Sequence, residues 1–267
     1  MKVRMYNVGF GDCFCLRDRK KSLLVDFGTN NSRIEGRPRR EIFDVIISDL
    51  STIKSKNLLL THFHMDHLSG LLYMMKKKDI SVDFGKIYLP DVFSKKEMSR
   101  TLVLLLLADL LKESGLPSRQ VSLFALVDAL LENKQNVELL SRGKLFENKY
   151  QALWPDTDVI RKETDEVYNR ICEDGKFKEV MDVLLEFAEK LRLIVWSMTA
   201  EGNKPAETVE KETDSTASEL TEQPEVRQKI IRAYVYEREF RRIKALPDFK
   251  KLLAWLNENQ IRSEEHT

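Results

Sequence analysis

The spacing of apolar residues changes character along this chain, and each change marks a different kind of structure. Over residues 2–8 apolar and polar positions alternate, as in a half-buried strand, and Gly9, Phe10, Gly11 and Asp12 turn the chain into a second strand at 13–16. A charged turn at 17–21 leads to a short apolar run at 22–27, bounded by Gly28, which suits a buried strand. Residues 28–40 are polar and read as a loop. Residues 41–50 place Ile42, Phe43, Val45, Ile46, Ile47 and Leu50 on one helical face. A buried strand at 57–60, a helix at 68–75 and a strand at 86–89, closed by Pro90, complete an α/β pattern.

The period then becomes helical. Residues 95–113 and 118–133 are apolar at helical spacing, separated by Gly115, Leu116 and Pro117, with Ser118 placed to cap the second helix. Residues 144–146 and 150–154 read as a hairpin around Glu147, Asn148 and Lys149. Beyond 157 the pattern gives only helix and linker, including an amphipathic helix over 177–198. Residues 201–225 hold eight acids and two lysines with almost nothing to bury, the mark of a solvated linker. Residues 226–250 hold eight bases and three acids, interleaved with Ile230, Ile231, Tyr234, Val235 and Phe240. That is a basic helix, either solvated beside the acidic linker or in contact with nucleic acid or an acidic partner. Two regions are expected: an α/β part at 1–156 with a helical hairpin at 94–137, and a helical part at 157–267.

Composition narrows the class. The 267 residues carry 44 bases and 43 acids, a net charge of +1, so there is no overall basic footprint for nucleic acid. With 42% apolar and 33% charged residues the chain can bury a core, which excludes full disorder. Ten glycines and seven prolines are too few for a sandwich or barrel of many short strands. Cys13, Cys15 and Cys172 leave one thiol over and make no disulfide scaffold, so they read as reduced thiols in a cytoplasmic protein. The opening residues lack the apolar core of a signal peptide. The longest apolar run, 102–108, stops at Asp109, so no membrane span is expected.

The chemistry lies in His62-x-His64-x-Asp66-His67, directly after the strand at 57–60. Three of the chain's four histidines fall within these six residues. Imidazole nitrogens suit zinc, iron or manganese, and a carboxylate adds charge and an oxygen ligand. In extended backbone, residues two apart project to one side, so His62 and His64 can share an ion. Asp66 and His67, at the turn into the next helix, can face a second. Two ions about 3.5–4 Å apart can hold a hydroxide between them and clamp a substrate's oxygens. Gly70 would let the helix start pack close against the strands.

Together with Tyr6-Asn7-Val8-Gly9-Phe10-Gly11-Asp12 and Leu24-Val25-Asp26-Phe27-Gly28, this motif resembles the metallo-β-lactamase superfamily of metal-dependent hydrolases. Within it, the chain is similar to the bacterial branch that includes the soluble domain of competence (DNA-uptake) proteins. The stretch from Arg142-Gly143-Lys144 to Leu153-Trp154-Pro155 adds that branch's L-W-P hairpin end. The resemblance covers residues 1–92 and, loosely, 141–155. It implies an αββα sandwich with a metal site at the strand ends, holding one or two zinc ions, with manganese or iron as alternatives. His62 and His64 would hold one ion and Asp66 and His67 the other, with Asp66 also bonding the attacking hydroxide as acid/base. Asp26 would orient a ligand histidine, or simply form a strand-end turn, and the same two roles are open to Asp12. Asn7 stands where the branch usually has aspartate. The implied reaction is hydrolysis of an ester, a phosphodiester by analogy with the branch, on a small molecule or a nucleic acid.

Past residue 67 the family pattern breaks. The superfamily closes its site with later histidines and a bridging aspartate. Here no histidine lies between His67 and His266, which sits in a polar tail. Asp91, Asp156 and Asp158 are the stand-ins for the bridging residue, and the strands of a second half-sandwich are not evident. One reading is the front of a longer hydrolase, truncated after a helical insertion; another is a shortened protein with a partial site. A different class is a non-catalytic interaction protein with a relic site, binding a partner through helices at 94–137 and 160–260. The middle helices look built with packing faces of their own, so the strands at 23–27 and 58–60 are expected to leave apolar surface exposed.

Overall fold

A computed structural model of the chain describes residues 1–18, 21–77, 83–113, 123–173, 175–200 and 236–258. The linker at 201–225, the Ser118 cap and His266 lie outside these. Strands β1 (Lys2–Met5), β2 (Phe14–Asp18) and β3 (Lys21–Val25) form an antiparallel meander. A small hairpin, β4 (Arg33–Ile34) with β5 (Arg37–Pro38), interrupts the stretch expected to be loop. Helix α1 (Arg39–Ser51) follows, then β6 (Ser55–Leu59), α2 (Met65–Lys76) and β7 (Ile87–Pro90). Helices α3 (Ser99–Glu113) and α4 (Leu123–Glu132) lead into β8 (Val137–Leu140). The main sheet has the order β1-β2-β3-β6-β7-β8, with β3, β6, β7 and β8 mutually parallel. This is a mixed α/β architecture with a helical region attached.

The parallel half follows from composition. Leu24, Leu58, Ile87, Leu89, Val137 and Leu139 all face one side of the sheet and are buried beneath helices. Strand β8 has no signature of its own: Val-Glu-Leu-Leu follows a helix with no glycine or proline between, and it becomes a strand by docking on β7.

Helix α3 is apolar on every side, with residues 102–108 all buried, and such a helix needs partners all round. It finds them in α4, α5 (Thr157–Cys172) and α6 (Lys178–Ser197), while α4 also packs on α2. One apolar cluster therefore runs from the inner sheet face through α1 and α2 to α6 and to two last helices, α7 (Tyr236–Ala245) and α8 (Phe249–Glu258). Helices on both sides of residue 157 share it. On this face the expectation of helices packed apart from the sheet does not hold, because α3's apolar surface is too wide for α4 alone to cover. Residues 226–235 of the basic stretch lie outside the described residues; the rest, expected as one helix with them, breaks between α7 and α8 around Pro247, which cannot continue a helix. Among the described residues no helix is long and apolar enough to cross a membrane.

The opposite sheet face has thinner cover. Leu23, Tyr88 and Leu140 are buried there under Phe146 and Ala152, from the hairpin of β9 (Leu145–Phe146) and β10 (Tyr150–Gln151). Toward the β1 edge the cover ends: Val3 is 61% and Met5 70% exposed, and Leu153 and Trp154 project beside the hairpin. The exposed apolar surface therefore lies on β1, not on the strands at 23–27 and 58–60 where it was expected: Leu23, Leu24, Phe27, Leu58 and Leu60 are all buried by the helices and the hairpin.

The shared core makes a prediction. Leu106→Ala, at a fully buried position of α3, should cost about 2–5 kcal/mol. Circular dichroism and tryptophan fluorescence should then lose their signals in one coincident urea transition, shifted to lower midpoint. Two separated transitions would mean that helices and sheet fold as independent units.

Candidate metal centre

Because β3, β6, β7 and β8 run parallel, their C-terminal ends open on one crevice, where open α/β sheets place ligands. Asp26 follows β3, Thr61 to His67 follow β6, and Asp91 follows β7. Helix α2 begins at Met65, three residues earlier than the apolar period indicates, so Asp66 and His67 sit on its first turn. There the amide ends of the helix favour negative charge, which suits Asp66.

Close backbone packing brings these segments together. A Cβ on Gly28 would lie 2.6 Å from the Asp66 carbonyl carbon and the Leu68 nitrogen, and one on Gly11 would lie 2.3 Å from the Gly28 oxygen. A Cβ on Gly70 would meet the Phe27 ring at 2.5 Å, so this helix does depend on glycine to approach the strands. The bare backbones let Asp12 N–H donate to the Asp66 carbonyl (3.2 Å) and Phe27 N–H to the His67 carbonyl (2.7 Å).

Asp26 is the hinge of the arrangement. It is only 2% exposed and takes a left-handed backbone, φ 54°, which aims its carboxylate back over the strand ends. Its Oδ1 accepts from Thr61 N–H at 2.8 Å, and its Oδ2 accepts from the Thr61 hydroxyl at 2.7 Å. The same Oδ2 lies 2.9 Å from His67 Nδ1. With the Thr61 proton committed to Asp26, the Thr61 oxygen is left to accept from His62 Nδ1 at 3.0 Å. Both rings then carry their protons on Nδ1 and turn lone pairs on Nε2 outward, the orientation that metal-binding imidazoles need.

Donor atoms of His62, Asp66 and His67 lie within 4.8 Å of one another, and so do donor atoms of Asp12, Asp26 and His67. The His62 ring packs 3.7 Å from the His67 ring and 4.7 Å, edge-on, from that of His64. The structure thus groups His62 with Asp66 and His67, with His64 on the same cleft wall. Burial, then the neighbouring His67 and His64 rings, lower the His62 pKa to about 4, so this imidazole is neutral at pH 7. Burial would also lower His67, but the hydrogen bond and charge of Asp26, with Asp66 and Asp12, outweigh it and raise the pKa. The three carboxylates draw positive charge to this point. Two nitrogen donors and an oxygen donor, converging among excess acids, fit a divalent transition metal such as zinc.

The remaining candidates are occupied elsewhere. Asp91 accepts from the Ser94 amide and hydroxyl, and Asp156 caps α5 and pairs with Arg142. Asp158 sits on the first turn of α5. None of these three belongs to a donor group among the described residues. Cys13 and Cys15 are buried free thiols, and burial pushes the Cys13 pKa up, away from nucleophilic use. The sequence reading missed Thr61, whose position between strand and motif is the one clue to its role. It also missed the opposite wall. Phe10, Asn30, Asn31, Ser32 and Arg33 face the histidines across an open cleft of about 850 Å³.

Removing the hinge should be felt by the metal. Asp26→Ala is expected to weaken zinc binding about 10–100-fold, measured by competition with a chromophoric chelator. Unchanged affinity would show that Asp26 orients nothing.

Residues 6–91, from the end of β1 to just past β7, match the family described as the Metallo-beta-lactamase superfamily. Over 77 residues the chain is 32% identical to Endoribonuclease YSH1 of Mycosarcoma maydis. Those residues are 29% of this chain and 8% of that protein. No solved structure matches the chain.

Proposed function

We propose that the chain is a metal-dependent hydrolase of phosphodiesters, with His62, His64, Asp66 and His67 around the metal and zinc as the metal. The observation that carries this reading is the convergence of His62, Asp66 and His67 at the floor of the cleft, with Asp26 bonded to His67. The superfamily match over the same residues supports a hydrolase, and the relative named as an endoribonuclease supports a phosphodiester. Likeness of 6–12 and 24–28 to the competence branch supports it further. The three free cysteines suit a reducing, cytoplasmic compartment.

The residues divide the work. When bound, a divalent ion polarises the ester's oxygen and makes water acidic enough to attack at neutral pH. His62 and His67 would present Nε2 to it, held in that tautomer by Thr61 and Asp26. The Asp66 carboxylate would accept a hydrogen bond from the attacking water and take up its proton. Asp12, bound through its amide to the Asp66 carbonyl, would hold the first turn of α2 at its distance from β3.

Purified from zinc-supplemented medium without chelator, the chain should retain at least one transition-metal ion by elemental analysis. His62→Ala should lower that ratio far more than His266→Ala. A ratio near zero, with no hydrolysis of bis(p-nitrophenyl) phosphate, would overturn the proposal in favour of the interaction-protein reading.

A further inference from the structure

Opposite the histidines stands an unusual side chain. Phe10 is 80% exposed, yet its backbone is among the most firmly held at the site. Its N–H donates to Asn31 Oδ1 at 2.9 Å, and its carbonyl accepts from the Asn30 N–H at 2.9 Å and the Thr29 hydroxyl at 3.1 Å. Thr29 is itself buried and bonded through its N–H to the Ser69 hydroxyl on α2. Gly9, with φ 70°, and Gly11 bracket the turn. A large aromatic ring thus stands in water at the rim of the cleft on a backbone held from both sides, where its exposure serves no packing role.

Beside it the wall is cationic. Arg33 lines the cleft, and its Nε and Nη2 both donate to the Gly36 carbonyl, at 3.1 and 2.7 Å. This fixes the guanidinium, and no carboxylate pairs with it among the described residues. The segment from 33 to 40 holds four arginines and one glutamate, on a protein whose net charge is +1. The rest of that wall, Asn30, Asn31 and Ser32, is polar. An acyl chain would find no apolar channel here. A planar base on a ring and a phosphate on a guanidinium are the contacts these groups can make, and only an unpaired base leaves its face open for stacking.

We propose that the cleft takes single-stranded nucleic acid, with Phe10 stacking one base and Arg33 anchoring an adjacent phosphate. For the reaction this rests on the hydrolase reading above, but the binding stands on different residues. The test uses the full chain with zinc and two fluorescent eight-nucleotide strands linked by cleavage-resistant phosphorothioates. One carries bases and the other is abasic throughout. Stacking one base contributes about 1–3 kcal/mol, so the base-bearing strand should bind about fivefold or more tighter. Phe10→Ala should bring the two within twofold, and Phe10→Trp should keep the preference. The side chain is solvent-exposed, so neither change should alter the circular dichroism. Arg33→Ala should weaken both strands alike and lower the slope of log affinity against log salt by about one. Equal binding of the two strands by the parent chain, or a preference that survives Phe10→Ala, would overturn the inference. If hydrolysis is absent but the preference holds, the hydrolase reading falls and this one stands; hydrolysis with no preference gives the reverse.

Discussion

Asp66→Ala is expected to abolish metal-dependent phosphodiester hydrolysis while leaving the helix content of the protein unchanged. The side chain sits on the first turn of α2, about a third exposed, with the His67 ring nitrogen Nε2 3.9 Å from its carboxylate. Losing a favourable charge at a helix N-terminus costs about 0.3–2 kcal/mol. The loss in function is of another order. A metal ligand and the proton acceptor for water disappear together, and general base catalysis alone contributes about 10²–10⁴-fold. Initial rates with zinc at saturating substrate, alongside a far-ultraviolet spectrum, separate the two effects. Activity within threefold of the parent would remove Asp66 from the chemistry.

Gly28→Ala should have the opposite profile, with damage to the fold first and to the site as a consequence. The new methyl would fall at 2.6–2.7 Å from three backbone atoms of residues 66 and 68, none of which can rotate away. The first turn of α2 would have to lift from β3, and forced overpacking of this kind costs about 1–3 kcal/mol, sometimes more. Because Asp66 and His67 ride on that turn, zinc retention should fall with the melting temperature. Equal stability of the parent and Gly28→Ala would show that the close approach is slack.

Much of this could be read from the residues, for reasons that differ by segment. The strands at 22–27 and 57–60 announce themselves because parallel strands buried on both faces need continuous apolar runs. The motif at 62–67 stands out because so little else explains three histidines together. Strand β8 was hidden because four residues bounded by neither glycine nor proline carry no period, and its partner lies 50 residues away in sequence. Arg33 and Phe10 were hidden differently. Both belong to polar or turn-like stretches whose local pattern says only that they are exposed, and only the fold puts them opposite the histidines. The pairing of donors also needed coordinates. Two-residue spacing joins His62 to His64, whereas the start of α2 swings Asp66 and His67 round to His62.

One oxygen atom ties two of these imidazoles together. Asp26 Oδ2 accepts from His67 directly and from the Thr61 hydroxyl that in turn accepts from His62. The orientations of the two rings are therefore not independent, and residues 26, 61, 62 and 67 form one hydrogen-bonded unit. Thr61→Ser keeps the relay and Thr61→Val cuts it at its middle link. Among natural variants of this chain, a hydroxyl at 61 and a carboxylate at 26 should be inherited as a pair. A lineage that drops either one has little reason to keep histidine at 62.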